Sequence, residues 1–249
     1  LSTVTGDRPT HSKVNIADLS NSDKPTKLSE MYSELYDNEW TDAFEELIEK
    51  TSLSDQAAIR FLLEILMNAF HRCKEITWDR YESLKSIACT LHFKQEYVPS
   101  ETNTDSQIDV RTKTTSISST LSIDQEQMLK NVWRATTCSL KHQSLKLMYA
   151  ELSTSLCKYE TELPKTYKYL TVCTDLCWKM GVQEKPMHLE LTAEKQVGQE
   201  KQFDTDKFRT YSKTGTSVAY VVWPALFLHE GGAILSKGIA QGCQKVLTN

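Results

Sequence analysis

The residues that could do chemistry are few, and their spacing argues against catalysis. His229-Glu230 begins like the helix of a zinc protease, where two histidines four apart hold the metal and a glutamate acts as base. Here the run is His229-Glu230-Gly231-Gly232-Ala233. The second histidine is missing, and the glycine pair would break the presenting helix. Cys173 and Cys177 are four apart, so they share a helix face and could supply two zinc ligands. That face also carries Tyr167 and Leu170, and free cysteine is among the most buried residue types. Core packing is therefore expected there. His71 and Cys73, two apart, cannot face each other on a helix. The chain has no glycine-rich phosphate loop, no nucleophile elbow, no dinucleotide fingerprint and no zinc-finger spacing. A non-enzymatic domain without a cofactor is expected.

Candidates for binding are clearer. Trp223 and Phe227 lie in the densest apolar run outside the helices, Tyr220-Val221-Val222-Trp223-Pro224-Ala225-Leu226-Phe227-Leu228, with Lys237 and Lys245 beyond it. Aromatic residues beside lysines suit a lipid headgroup boundary. Most of this stretch is too apolar to leave in water, so core is its other reading. Lys165 and Lys168, with Lys158 and Lys179, could extend a basic face toward anionic lipid, although they point at mixed angles around a helix. The acidic run Glu34-Leu35-Tyr36-Asp37-Asn38-Glu39-Trp40-Thr41-Asp42 lacks the alternating ligands and glycine of a calcium loop. A solvated helix face with Trp40 turned inward is expected.

The 249 residues carry a net charge of −4, distributed unevenly. Residues 1–125 hold 13 Lys+Arg against 21 Asp+Glu, and residues 126–249 hold 16 against 12. The basic half could face an anionic surface, or the two halves could complement each other. Nucleic acid is not an expected partner. Seven scattered cysteines without a C-x-x-C pair read as reduced thiols, not a disulfide framework. No apolar run approaches the roughly 20 residues that span a bilayer. The chain opens on Leu1 without a methionine or a signal pattern, as an excised piece would.

These residues must be positioned mainly by helices. Residues 1–27 are polar and aperiodic, which predicts a flexible arm ahead of a single α-rich domain over 28–249. Met31, Leu35, Trp40, Phe44, Leu47 and Ile48 predict a first helix through Glu49. Ser54 caps a second, with Ile59, Leu62, Leu63, Leu66 and Phe70 on one face. Tyr81, Leu84, Ile87, Ala88 and Leu91 mark another over 78–97. Residues 98–121 are rich in Ser and Thr and predict a disordered loop. Ser122-Ile123-Asp124-Gln125 is a capping box opening the longest predicted helix, 123–159, about 50 Å at 1.5 Å per residue. Pro164 starts a last helix and Gly181 ends it. Met187 to Leu191 alternates like a short strand, residues 193–202 read as loop, and Asp204 as the cap of a short helix through Tyr211. Over 217–241, Pro224 and the Gly231-Gly232 pair favour a small β element over a helix pair. The expected fold is mainly α, one multi-helix domain with one long helix and a small β element near the C-terminus.

Two segments carry a family resemblance: Glu34 to Asp42, and Tyr220 to Gly232 continuing through Gly238. Together they resemble the C-terminal domain of the mitochondria-eating protein family, over roughly Leu28 to Gln241. The resemblance implies a role in mitochondrial quality control and mitophagy, in the cytoplasm and at the mitochondrion, on its outer membrane or its matrix side. It implies a partner as well, the anionic phospholipid cardiolipin, and self-association through coiled coils that precede this domain in family members. Lys165, Lys168, Trp223, Phe227, Lys237 and Lys245 are the candidate lipid- or partner-binding residues. A protein-interaction scaffold without lipid binding is the alternative.

Overall fold

The structure, a computed structural model, describes residues 23–96, 121–139, 162–197 and 200–244. Its first helix, α1 (Pro25–Leu35), has a proline in its first turn, where the missing N–H costs nothing. It runs without a break through a π-helical turn, Tyr36–Trp40, into α2 (Thr41–Lys50). The π turn adds a residue to the helical register. The Thr41 hydroxyl donates to the Tyr36 carbonyl at 3.2 Å across it. The extra residue brings Tyr36 and Trp40 into a stack at 4.8 Å, with the Trp40 and Phe44 rings stacked nearly parallel at 5.3 Å.

Next comes α3 (Asp55–Glu96), one helix where the sequence suggested two. Nothing between Phe70 and Trp78 breaks it: Cys73 is buried, and the Thr77 hydroxyl bonds back to the Cys73 carbonyl at 2.8 Å. Helix α4 (Ile123–Ser139) opens on the predicted capping box. The Ser122 N–H donates to the Gln125 side chain at 2.9 Å, and the Gln125 N–H donates to the Ser122 hydroxyl at 3.3 Å. Residues 140–159 of the predicted long helix, 98–120 of the disordered loop predicted over 98–121 and 1–22 of the arm predicted over 1–27 lie outside the described residues, while residues 25–27 of that arm already belong to α1. Helix α5 (Pro164–Gly181) packs on α1, α2 and α3. Gly181 ends the helix as its position suggested, but without a positive φ, since the one glycine with positive φ among the described residues is Gly231. It permits close packing: a Cβ there would lie 2.9 Å from the Thr77 hydroxyl of α3.

The expectation of a mainly α domain with a small β element is corrected beyond α5. Among the described residues eight short strands form three sheets over the C-terminal third. β1 (His188–Glu190), β6 (Ala225–Phe227) and β7 (Ile234–Ser236) make one antiparallel sheet in the order β1-β6-β7. β2 (Glu194–Val197) and β3 (Glu200–Phe203) pair as a hairpin where a loop was expected. β4 (Phe208–Thr210), β8 (Gly238–Cys243) and β5 (Ser217–Trp223) form the third, with β4 parallel and β5 antiparallel to β8. The short helix predicted after Asp204 is strand β4; the Asp204 carboxylate instead accepts the Asp206 N–H at 3.1 Å in a turn. The predicted Gly231-Gly232 turn is present between β6 and β7, where Leu228 N–H donates to Ala233 O at 2.9 Å and Gly231 takes φ of 70°. The amount of β structure was missed for a physical reason. Strands of three or four residues are too short to establish a period-2 pattern, and β2 and β3 are polar apart from Val197 and Phe203.

Pro224 stands between β5 and β6 and lets the chain pass from one sheet to another, a position where a missing ladder donor is tolerated. One core joins both layers: Tyr32, Trp40, Leu47, Leu62, Tyr169 and Trp178 from the helices pack with Trp223 and Leu226 from the strands. Gly238 is a tight point of the sheet layer. A Cβ there would meet the Phe208 ring and stand 2.7 Å from the Ala225 nitrogen. Gly238→Ala is expected to destabilise the domain by about 1–3 kcal/mol through overpacking, read as a lower denaturation midpoint at unchanged slope.

Candidate functional site

The two resemblance segments meet in space. Tyr32 and Tyr36 pack their rings on Trp223 at 4.8 and 5.3 Å. The Tyr32 hydroxyl donates to the Pro224 carbonyl at 3.0 Å, and the Ser29 hydroxyl to the Leu235 carbonyl at 3.2 Å. Trp223 is therefore a keystone between layers, 2% exposed, and not a surface anchor.

The other candidates from the sequence do not form one basic face. Lys165 pairs with Asp42 at 3.4 Å and Lys168 with Glu39 at 3.3 Å. These bridges tie α5 to the acidic segment, so the two charge halves complement each other. Lys237 donates to the Thr205 carbonyl at 2.9 Å. Phe227 is half-buried, with the Lys207 ammonium 5.9 Å from its ring centre. Lys245 lies outside the described residues. Cys173 and Cys177 are core: burial pushes both thiols up, and it drives nearby Cys73 to about 12. Among the described residues no three His, Cys, Asp or Glu side chains are grouped to hold a metal ion.

A groove that the sequence did not single out lies between α3, α4 and the segment following α5. It measures about 730 Å³, within the size range of small-molecule sites. Tyr81 and Trp133 form an edge-to-face pair at 5.7 Å, and Trp78 beside them is 56% exposed. At one end the Glu126 carboxylate accepts from the Tyr81 hydroxyl at 3.1 Å and the Lys85 ammonium at 3.3 Å. The Tyr81 bond, then the lysine, hold Glu126 below the usual carboxylate range. Burial, reinforced by the carboxylate, pushes Tyr81 up to about 12.

The remaining charges of the groove are unequal. Lys74, Lys130 and Arg134 line it without an ion pair among the described residues. Glu75 is taken by Arg72 at 2.8 Å, which leaves Glu82 and Glu184 as the carboxylates on the rim without a bridge among the described residues. The indole N–H of Trp133 is buried and has no acceptor among the described residues. Sequence reading missed this site because its parts come from positions 71–85, 126–134 and 181–186, which only the fold brings together. The one local signal was the aromatic pair Trp78 and Tyr81, which reads as an ordinary helix stripe.

The family model for mitochondria-eating protein matches residues 24–242, most of the chain. The chain belongs to the mitochondria-eating protein family. No curated protein and no solved structure matches it. Family membership ties the domain to mitochondria and to their quality control. The match begins just before α1 and ends in β8, so the helical layer, the groove and the three sheets all belong to the family's domain. Among the described residues no helix is long and apolar enough to cross a membrane.

Proposed function

We propose that this member of the mitochondria-eating protein family is a non-enzymatic domain that binds anionic phospholipid, with cardiolipin the expected lipid, and supports assembly on damaged mitochondria. It would work from the cytoplasm, at the outer membrane. The observation that carries the reading is the set of three cations, Lys74, Lys130 and Arg134, without an ion pair within 4 Å among the described residues and placed beside an exposed tryptophan. An unpaired cation keeps its attraction for an external phosphate, whereas Lys165 and Lys168 already face carboxylates. Tryptophan at such a boundary sits with its ring at the headgroup level.

Co-flotation of the purified chain with vesicles tests this. Vesicles containing cardiolipin are expected to carry the protein at low salt and to lose it as salt rises, because exposed charges are screened beyond a Debye length of about 8 Å at physiological ionic strength. Neutral vesicles are expected to leave it in solution. Equal behaviour with both, or no flotation at any salt, would remove the lipid reading and turn the question to protein partners.

A further inference from the structure

We infer that the groove between α3, α4 and the end of α5 holds a single phosphate-bearing acyl molecule as a monomer, so that the domain binds individual lipids and does more than read the charge of a surface. The inference rests on the anionic-lipid reading for the class of its ligand. Four features of the groove point to it.

The first is size. About 730 Å³ suits a headgroup and the start of one chain, and it is far too small for a whole lipid with several chains. The second is wall chemistry. Trp78, Tyr81 and Trp133 line it with aromatic surface, suited to methylene groups and not to an inorganic ion. The third is charge. Lys74, Lys130 and Arg134 are half-buried and have no ion pair among the described residues, Lys130 being attracted also by Glu126. These three cations exceed the two carboxylates Glu82 and Glu184 that likewise have no ion pair among those residues. A phosphate can accept charge-assisted hydrogen bonds from all three, and bidentate ones from the arginine. The fourth is the Trp133 indole N–H, a buried donor without an acceptor among the described residues, which an ester oxygen can satisfy. The Tyr81–Glu126–Lys85 cluster bounds the groove at one end, where its donors and acceptors are engaged with one another.

The test is calorimetric titration of the full chain with dihexanoyl phosphatidic acid below its micelle concentration. Inorganic phosphate and dihexanoyl phosphatidylcholine are run in parallel, with cardiolipin-vesicle flotation alongside. Saturable binding of one phosphatidic acid is expected, with free phosphate and the zwitterionic lipid each weaker by about tenfold or more. Lys74→Glu with Arg134→Glu is expected to weaken it by at least about tenfold, and Trp78→Ala by several-fold. Lys165→Glu with Lys168→Glu, outside the groove, is expected to bind as the unaltered chain does. All three altered positions in the groove are half-buried or exposed, and circular dichroism checks that each variant folds. Inorganic phosphate binding as well as the lipid would overturn the inference, as would binding unaffected by the groove variants. Flotation with cardiolipin vesicles without monomer binding would overturn the inference and leave the membrane reading intact. Monomer binding without flotation would uphold the groove and remove the membrane reading. Failure of both would remove both.

Discussion

Trp223→Ala is expected to destabilise the domain by about 3–5 kcal/mol, the range for removing a large aromatic side chain from a packed core. The indole is 2% exposed and is held between the rings of Tyr32 and Tyr36. No small movement can refill the space, because the neighbours are constrained on both sides. Tyr32 is fixed by its bond to the Pro224 carbonyl, and Tyr36 by the π turn that stacks it on Trp40. The loss would separate the helical layer from β5 and β6 and not merely loosen one element. Urea denaturation followed by both circular dichroism and tryptophan fluorescence checks this. A midpoint close to that of the unaltered chain would mean that Trp223 is not the keystone. Tyr32→Phe provides a milder companion, because it leaves the Pro224 carbonyl buried without its donor at a cost of about 1–3 kcal/mol.

Glu46→Gln is expected to cost about 2–3 kcal/mol at neutral pH, the scale of a buried hydrogen-bond set to a charged group. The Glu46 side chain is 3% exposed and closes the N-terminus of α5. Its carboxylate accepts the Thr166 backbone N–H at 2.8 Å and the Thr166 hydroxyl at 3.0 Å, and the Lys50 ammonium donates to its other oxygen at 3.1 Å. Negative charge at a helix N-terminus is favoured by the free N–H groups there. Burial alone would raise its pKa. The Thr166 and Lys165 N–H groups, the Lys50 ammonium and the Thr166 hydroxyl outweigh that and hold it below its ordinary 4.5. A carboxylate depressed in the folded state adds stability above its unfolded pKa, and that stability is lost as the pH falls through the lower folded value. The gap between the unaltered chain and Glu46→Gln should therefore be full at pH 7 and shrink as the medium is acidified below about 4.5. Thermal melts of both proteins across that range measure it. A gap independent of pH would mean that Glu46 acts through shape and not through charge.

Both effects arise where segments distant in sequence meet, and this separates what was legible in the chain from what was not. Local signals carry over directly. The reciprocal Ser122–Gln125 box, Pro164 in a first helical turn, the short strand after Met187 and the Gly231-Gly232 turn each depend on residues within a few positions. Burial of Cys173 and Cys177 likewise followed from their sharing a stripe with apolar neighbours. The sheets did not follow in the same way. Polar β2 and β3 form a ladder by hydrogen bonds that any sequence can make, and β4 lies beside β8 because of a parallel pairing with a residue separation that no local pattern encodes.

The sequence by itself determined the family, the amphipathic helices and their caps, the turns, and the split of charge between halves, because each is a property of residue type and near spacing. Tertiary structure alone decided which charges remain available. It placed Lys165 and Lys168 against Asp42 and Glu39, drew Trp223 into the core, and gathered Lys74, Lys130 and Arg134 around Trp78 with no ion pair among the described residues. The physical reason is that a charge or a ring acts according to what lies within a few ångströms of it, and most of those neighbours come from distant parts of the chain.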